Sequence, residues 1–280
     1  MEILFGLLTL LAGLGSGAGY LVDQTARNII LQELDQAETL EVRVESIPNY
    51  RILRGEADRI LVAGRGLYRE PFPRIELFEL ETDPISLRST DPITLGAPLQ
   101  AAVHVIIREE DVNTALQSPE ILSQFENIEA DLPFAAGPEQ KESRFDLRKP
   151  ETDFLPENRI RLAAQLVEKN EAGQDQEAVD IEFNATLAVE AGRILKLEDP
   201  EFLIGSVPVP REISGAFLGG LNEIFDLQEL DEEGIIIRVL TLSVEEDRIE
   251  VVGFVRVDIL PGQSTPKVGS LHLGILSSLG

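Results

Sequence analysis

The chain has 280 residues, enough to bury a full core as one β-rich domain or as two smaller ones. Its 50 acidic and 24 basic side chains give a formal net charge of -26. This charge argues against nucleic-acid binding and against general adhesion to an anionic membrane surface, because phosphates would be repelled. The chain has no cysteine, and its two histidines, His104 and His272, offer little to histidine-based catalysis.

The most apolar stretch of the sequence covers residues 3–22, which carry no charge and include five glycines. Twenty residues can just span a bilayer as a helix, so a membrane anchor is one interpretation. A cleaved signal peptide is the second, with Ser16 and Ala18 as small residues before the cut, although no Lys or Arg precedes the run. A buried helix that leads into the domain is the third.

An amphipathic helix is predicted over 22–38, because apolar residues recur there at helical spacing: Ala26, Ile29, Ile30, Leu34 and Ala37. We expect the apolar stripe of this helix to pack against a β-sheet. Alternating or apolar runs then predict strands over 40–47, 55–67, 74–81 and 101–107. His104 lies inside the last of these strands, where a lone histidine is predicted to be a satisfied side chain rather than a ligand.

Two short helices are predicted after the fourth strand. The first opens at Arg108 and carries Leu116, and the second has Ser118 as its N-cap, Pro119 at its first position and Phe125 on its buried side. Four prolines and mixed charges over 133–158 predict a long loop.

Strands are predicted to resume over 159–168, 179–190 and 193–204, and as a hairpin over 235–245 and 248–259. The run 179–190 has the cleanest alternation, which turns Phe183 and Leu187 inward.

A second amphipathic helix is predicted over 210–227, with one apolar stripe made of Ile213, Phe217, Leu221, Ile224 and Phe225. Glycine inside a helix costs roughly 1 kcal/mol relative to alanine, so Gly219 and Gly220 indicate a place of close approach. A strand backbone or an apolar ligand would fit there. The pattern therefore leaves open a core helix packed on a sheet and a helix that lines a lipid-sized cavity.

Catalytic and metal-binding patterns are missing from the sequence. The acidic clusters at 229–233 and 245–247 lack the ligand spacing of a calcium loop, so we expect no metal site. A lipase would need a nucleophile elbow after a strand, and Gly15-Ser16-Gly17 lies in the apolar leader instead. We therefore expect no catalytic residue and no cofactor.

Four segments carry a resemblance to a known family: LEVRVESIPNYRILRGEADRILVAGRGL, PRIELFELETDPISL, AAVHVIIREEDVNTALQSPEI and GSVPVPREISGAFLGGLNEIFDLQEL. Over roughly 20–260 the chain resembles the LmeA-like phospholipid-binding proteins of bacterial envelopes and cyanobacteria. The resemblance implies a fold similar to tubular lipid-binding domains, in which helices cover a curled sheet and acyl chains lie between them. It implies no catalytic residue, and the anionic excess of this chain disfavours anionic head groups.

The expected fold class is α+β: a strongly twisted antiparallel β-sheet, a half-barrel or tube, covered on its concave side by the helices at 22–38 and 210–227. The expected organisation is an anchor or signal segment at 1–22, one lipid-binding-like domain at 23–260 and a flexible tail at 261–280. The expected function is non-enzymatic binding, with transfer as an extension, of a phospholipid or similar acyl lipid at a membrane. The alternative is a membrane-anchored assembly protein that presents an acidic surface to a protein partner.

Burial of about 16 methylenes, at about 0.8 kcal/mol each, gains on the order of 13 kcal/mol before ordering costs, so such a site needs no polar motif. The expected partners are an acyl lipid and, through residues 3–22, a membrane of the cell envelope. The sequence does not indicate the side of the membrane, and we expect no binding of nucleic acid. The residues predicted to line the lipid are Ile30, Leu34, Leu116, Phe125, Phe183, Leu187, Ile213, Phe217, Leu221, Ile224 and Phe225.

Overall fold

The computed structural model describes residues 19–90, 93–123, 125–126, 128–130, 143–169, 174–209 and 234–257. The helices are α1 (Gly19–Gln32), a 3-10 helix (Asn49–Arg54), α2 (Glu109–Leu116) and α3 (Pro119–Ser123). The strands are β1 (Thr39–Glu45), β2 (Glu56–Ala57), β3 (Arg59–Leu67), β4 (Ile75–Thr82), β5 (Ile85–Thr90), β6 (Ile93–Leu95), β7 (Leu99–Arg108), β8 (Ile128–Ala130), β9 (Ser143–Leu155), β10 (Arg159–Lys169), β11 (Asp175–Glu190), β12 (Ile194–Ile204), β13 (Val207–Pro208), β14 (Ile235–Glu245) and β15 (Arg248–Val257).

The first large sheet, sheet 1, has the strand order β1-β3-β4-β7-β15-β14, with every neighbouring pair antiparallel. Successive side chains of a strand point to opposite faces, so the alternating sequence divides this sheet cleanly. One face is apolar and includes Val42, Val62, Leu80 and Val103, which lie opposite one another on β1, β3, β4 and β7. The other face carries the charged positions of the same strands.

Helix α1 covers the β1 side of the apolar face, with Ala26 and Ile30 buried against it. β1 is an edge strand, and its outward backbone groups are paired by polar side chains of the same helix. The Nε of Arg27 donates to the Leu40 carbonyl at 2.8 Å, and the Val44 N–H donates to Asp23 Oδ1 at 2.9 Å. The helix therefore closes both the apolar face and the open edge of β1.

A small three-stranded sheet, β2-β5-β6, extends the core where β1 ends and β3 begins. Its buried side chains, together with Ile52 of the 3-10 helix, join the core of sheet 1: Ala57, Ile85 and Leu95. The 3-10 helix is thereby fixed at one end of sheet 1.

The second large sheet, sheet 2, has the order β13-β12-β11-β10-β9-β8 and is antiparallel throughout. Its apolar face carries Ile160 and Leu162 on β10, Phe183 on β11 and Phe202 on β12. The opposite face carries Arg159 and Arg161 with the acidic residues of β11. Both large sheets are open rather than closed on themselves, and far more of the described residues lie in strands than in helices.

Helix α2 joins the two sheets through a row of polar side chains. Asn113 accepts from the Thr152 N–H at 2.7 Å and donates to the Thr152 carbonyl at 2.8 Å, so its amide replaces a neighbouring strand. One turn away on either side, Glu109 accepts from the Phe154 N–H at 2.6 Å and Gln117 donates to the Pro150 carbonyl at 2.5 Å. Four residues of a helix advance about 6 Å and two residues of a strand about 6.6 Å. Side chains four residues apart on α2 therefore match backbone groups two residues apart on β9.

A second joint connects the turns of sheet 2 to β14, the other edge strand of sheet 1. The Val244 N–H donates to Asn158 Oδ1 at 2.8 Å, and the Val239 N–H donates to the Gly192 carbonyl at 2.8 Å. Asn158 and Gly192 lie in the β9–β10 and β11–β12 turns, where both adopt positive φ. One end of sheet 2 therefore abuts the side of sheet 1.

The predicted antiparallel α+β architecture is confirmed in outline, but strands dominate it and form two large open sheets and a small one rather than the single curled sheet that we expected. Two further corrections concern single elements. The helix predicted over 22–38 ends at Gln32, after which the chain turns to reach β1. The loop predicted over 133–158 is wrong for 143–155, which form β9. Lys149, just before Pro150, has a left-handed backbone conformation with φ 48. Pro150 has no N–H to donate, and β9 tolerates it because this part of the strand is paired with another strand on one side only.

Several predicted elements lie outside the described residues: most of the apolar run at 3–22, the helix at 210–227 and the tail at 261–280. Within the part of the chain that the structure describes, no helix has the length and apolarity needed to cross a membrane.

Candidate functional site

The apolar faces of the two sheets meet and continue into each other. Phe154 and Ile160 of sheet 2 form a cluster with Val244 of sheet 1, and all three are buried. Leu187 and Leu197 from sheet 2 and Ile249 from sheet 1 pack around them, with Val112 of α2. We call the two faces together the joined apolar surface.

Much of the joined apolar surface is only half-buried. On sheet 1, α1 and the small sheet bury the half near β1, whereas the side chains of β7, β15 and β14 keep intermediate exposure: Val103, Val105, Val251, Val255, Ile237 and Val239. On sheet 2, Leu162 is 39 % exposed, although β10 is paired on both sides with β9 and β11. A central strand position normally hides a leucine, so this face has room for an apolar partner.

Two of the predicted lining residues, Ile30 and Leu34, belong to the covered half of sheet 1. Ile30 has 0 % exposure inside the core, and Leu34 is half-buried against the same cluster. Phe183 is buried on sheet 2 beside Phe202, and Leu187 is half-buried in the cluster that joins the sheets.

Leu116 and Phe125 are half-buried at the ends of α2 and α3, so they stand beside the joint rather than on either sheet. The structure thus brings Leu187 and Phe183 onto one face and keeps Ile30 apart from them. The predicted residues of the 210–227 helix lie outside the described residues: Ile213, Phe217, Gly219, Gly220, Leu221, Ile224 and Phe225.

The charged face of sheet 1 holds an open groove of about 1240 Å³, bounded at one side by Asp23 and Arg27 of α1. Its lining on the strands mixes charged side chains with apolar ones: Glu41, Arg43, Glu79, Glu81 and His104 alternate with residues such as Leu61, Ala63, Ala102 and Val252. An acyl chain laid there would remove the hydration of these charged side chains without replacing it, which offsets what contact with the apolar ones would gain. The joined apolar surface is the better match to an acyl lipid.

His104 lies at the centre of this charged face, between two carboxylates. Its Nδ1 is 3.1 Å from Glu79 Oε2 and its Nε2 is 2.8 Å from Glu250 Oε1. The hydrogen bond to Glu79, helped by the one to Glu250, raises the pKa of His104 above its ordinary value. The predicted satisfied side chain is confirmed, and the imidazolium ties β4, β7 and β15 together.

We expect the stabilisation by His104 to depend on pH. Since its pKa is raised in the folded protein, the contribution is fully present below the unfolded value of about 6.5 and is lost as the pH rises through the folded pKa. The substitution His104→Gln should therefore lower the melting temperature more at pH 5.5 than at pH 8.5. Partly exposed ion pairs contribute up to about 1 kcal/mol, which sets the scale of the difference.

Glu41→Gln is the control for this measurement, because it removes a carboxylate from the same face of β1, three strands from His104. It should show no change of effect between the two pH values. An equal loss at both pH values for His104→Gln would contradict the assignment of a charged histidine.

Sequence reasoning did not select Leu162 as a lining residue, although its alternation with Arg161 places it on the apolar face. The pattern shows which face a side chain takes and not whether another element covers it. Among the described residues there is no group of three or more His, Asp or Glu side chains arranged to hold a metal ion.

Comparison with known proteins gives one match. The family model described as LmeA-like phospholipid-binding matches residues 13–254, which include sheet 2, the joints and all of sheet 1 except the last three residues of β15. No curated protein and no solved structure matches the chain. The match spans most of the sequence, so the chain belongs to the LmeA-like phospholipid-binding family.

Proposed function

We propose that this protein binds a phospholipid or similar acyl lipid without chemical turnover, with the acyl chains against the joined apolar surface. The observation that carries the proposal is Leu162, a 39 % exposed leucine at a fully paired strand position within a family of phospholipid-binding proteins. Apolar contact at roughly 25 cal/mol per Å² would supply the binding free energy.

The two joints give this surface a shape suited to a long chain. Because one end of sheet 2 abuts the side of sheet 1, the half-buried residues of β14 and β15 lead directly to those of β10 and β11. We propose that the acyl chains follow this path across the Val244 cluster. The helix predicted at 210–227 is proposed as the cover that completes a tube-like site.

Membrane association is part of the proposal and rests on the sequence, where residues 3–22 are apolar and uncharged. The head group would stay outside the joined apolar surface, because the described residues include no buried lysine or arginine that could pair with a phosphate. Binding at a membrane, and transfer from one, are therefore proposed for the acyl part of the lipid.

The test is the substitution Leu162→Glu, which places a carboxylate on the joined apolar surface. Lipid is extracted from the purified wild type and variant and quantified by mass spectrometry. We expect a stoichiometric acyl lipid in the wild type and at least a tenfold loss in the variant, since a charge in an apolar contact costs well over 1.4 kcal/mol. The melting temperature shows whether the fold is retained.

Phe72→Glu is the matched control, because Phe72 is 56 % exposed in the loop between β3 and β4 and belongs to none of the apolar clusters of either sheet. This variant should keep the lipid. A wild-type extract free of lipid, or equal lipid content in all three folded proteins, would contradict the proposed site.

A further inference from the structure

The segment 46–55 between β1 and β2 exposes three large apolar side chains at one end of sheet 1. Ile47 is 83 % exposed, Tyr50 58 % and Leu53 52 %. We call this segment the apolar tip. Isolated exposed apolar residues are ordinary on protein surfaces, but three within seven residues form a patch of the kind that contacts a partner or a membrane.

The apolar tip is held rigidly rather than collapsed onto the core. Ile52, on the inner side of the 3-10 helix, is buried in the core of sheet 1, which directs Tyr50 and Leu53 outward. Gly55 ends the helix at φ 72 and its N–H bonds the carbonyls of Arg51 and Ile52. The helix is therefore anchored by the buried side chain of Ile52, and it ends at Gly55, a residue type that readily adopts the left-handed conformation.

Asp58 fixes the other side of the apolar tip. It accepts from the Ile47 N–H at 2.6 Å and from Arg51 at 2.5 Å, while Arg51 also pairs with Glu56 at 2.8 Å. The bond from Ile47, with the added effect of Arg51, lowers the pKa of Asp58. These contacts keep Ile47 at the surface.

The charged residues of the apolar tip are Arg51, which Asp58 and Glu56 neutralise, and Arg54, which is exposed. Residues 46–55 contain two arginines and no acid, within a protein of formal net charge -26. The Arg54 guanidinium lies 5.6 Å from the centre of the Tyr50 ring, a cation–π arrangement in which both groups face outward. Apolar, aromatic and basic side chains together suit the interface between lipid head groups and acyl chains, whereas the acidic remainder of the surface does not.

The apolar tip also lies at the end of sheet 1 remote from sheet 2. The register places Glu45 opposite Arg59 at the tip end, whereas the joints to sheet 2 involve Val244 and the helix that follows Arg108 at the other end. The half-buried strands β7 and β15 run between the two ends. A bilayer in contact with the apolar tip would therefore lie at the end of sheet 1 from which β7 and β15 run toward the joints with sheet 2.

We propose that the apolar tip docks onto the surface of a phospholipid bilayer and inserts Ile47, Tyr50 and Leu53 into its interface. This inference rests on the proposed function, because docking would bring a lipid-binding protein to its lipid. It is argued, however, from residues other than those of the joined apolar surface. Docking gives the protein a point of membrane contact separate from residues 3–22 and fixes which end of sheet 1 faces the bilayer.

The chain has no tryptophan, so a single substitution supplies a local reporter. Full-length Tyr50→Trp is mixed with phosphatidylcholine vesicles, with and without bromine atoms on the acyl chains. We expect a blue shift of the emission and quenching by the brominated lipid. Phe72→Trp is the matched control, with 56 % exposure against 58 % for Tyr50 but at the opposite end of β3. It should show neither change, even if residues 3–22 hold the protein on the vesicle.

Adding Ile47→Glu and Leu53→Glu to the Tyr50→Trp protein should abolish the shift and the quenching without changing the melting temperature by more than a few degrees. No shift with Tyr50→Trp, or equal shifts at both reporter positions, would overturn the proposal. A shift that needs no vesicles and grows with protein concentration would overturn it in favour of self-association. Lipid content, measured by mass spectrometry in the same preparations, reports independently on the joined apolar surface.

Discussion

Ile30→Ala is expected to lower the free energy of unfolding by about 2–5 kcal/mol, because Ile30 has 0 % exposure and its removal leaves a cavity in a close-packed core. On the inner face of α1, Ile30 and Ala26 belong to the same buried core as Leu40 and Ile60 of sheet 1. Urea unfolding measures the loss. We expect the lipid content of the folded fraction to stay unchanged, since α1 already covers this half of the apolar face.

Ile29→Ala is the control on the same helix, because Ile29 is only half-buried and packs at the margin of that core. Its loss should be clearly smaller. Should Ile30→Ala cost less than about 1 kcal/mol and also release the lipid, Ile30 would line the site as the sequence pattern suggests, and its place in a closed core would be refuted.

Asn113→Ala is expected to cost about 2–4 kcal/mol, because it leaves two backbone groups of Thr152 without partners. Thr152 is buried, and each unsatisfied buried group costs roughly 1–3 kcal/mol. Asn113→Asp should not rescue stability at neutral pH, since the carboxylate keeps the acceptor for the Thr152 N–H but loses the donor to its carbonyl. Urea unfolding and hydrogen exchange along 150–154 measure both variants.

Thr114→Ala serves as the reference for that series. Thr114 is the exposed neighbour of Asn113, and its hydroxyl bonds only the Glu110 carbonyl of its own helix. Its effect should stay within about 0.5 kcal/mol, as for most surface substitutions. Similar effects for Asn113→Ala and Thr114→Ala would mean that α2 does not hold the two sheets together through this amide.

The strands of both sheets are largely predictable from sequence, because a half-buried strand imposes a period of two on its side chains. The run 179–190 shows this directly: Phe183 faces the apolar side and Glu182 the charged side, as the alternation predicts. The family resemblance, which rests on the segments around β1 and β3, β4, and β7 and on the segment 205–230, is likewise confirmed.

β9 shows what the pattern misses. Its apolar residues are interrupted by charges and Pro150, so local composition resembles a loop, and the strand is completed by Asn113 and Gln117 from a distant helix. The joint at β14 is hidden for the same reason, since Asn158 and Gly192 are ordinary turn residues by sequence. The candidate site depends on how the two sheets meet, and that arrangement has no local signature.

The pairing of the β1 edge by Asp23 and Arg27 has a consequence for proteolytic maturation. A protease that removed the leader after Ala18 would leave α1 whole and the outward groups of Leu40 and Val44 occupied. A cut beyond Arg27 would strip that cover and leave a bare strand that recruits β1 of another molecule, the usual start of edge-to-edge aggregation. If the segment before α1 is removed, the position of the cut would therefore decide between a monodisperse product and an insoluble one.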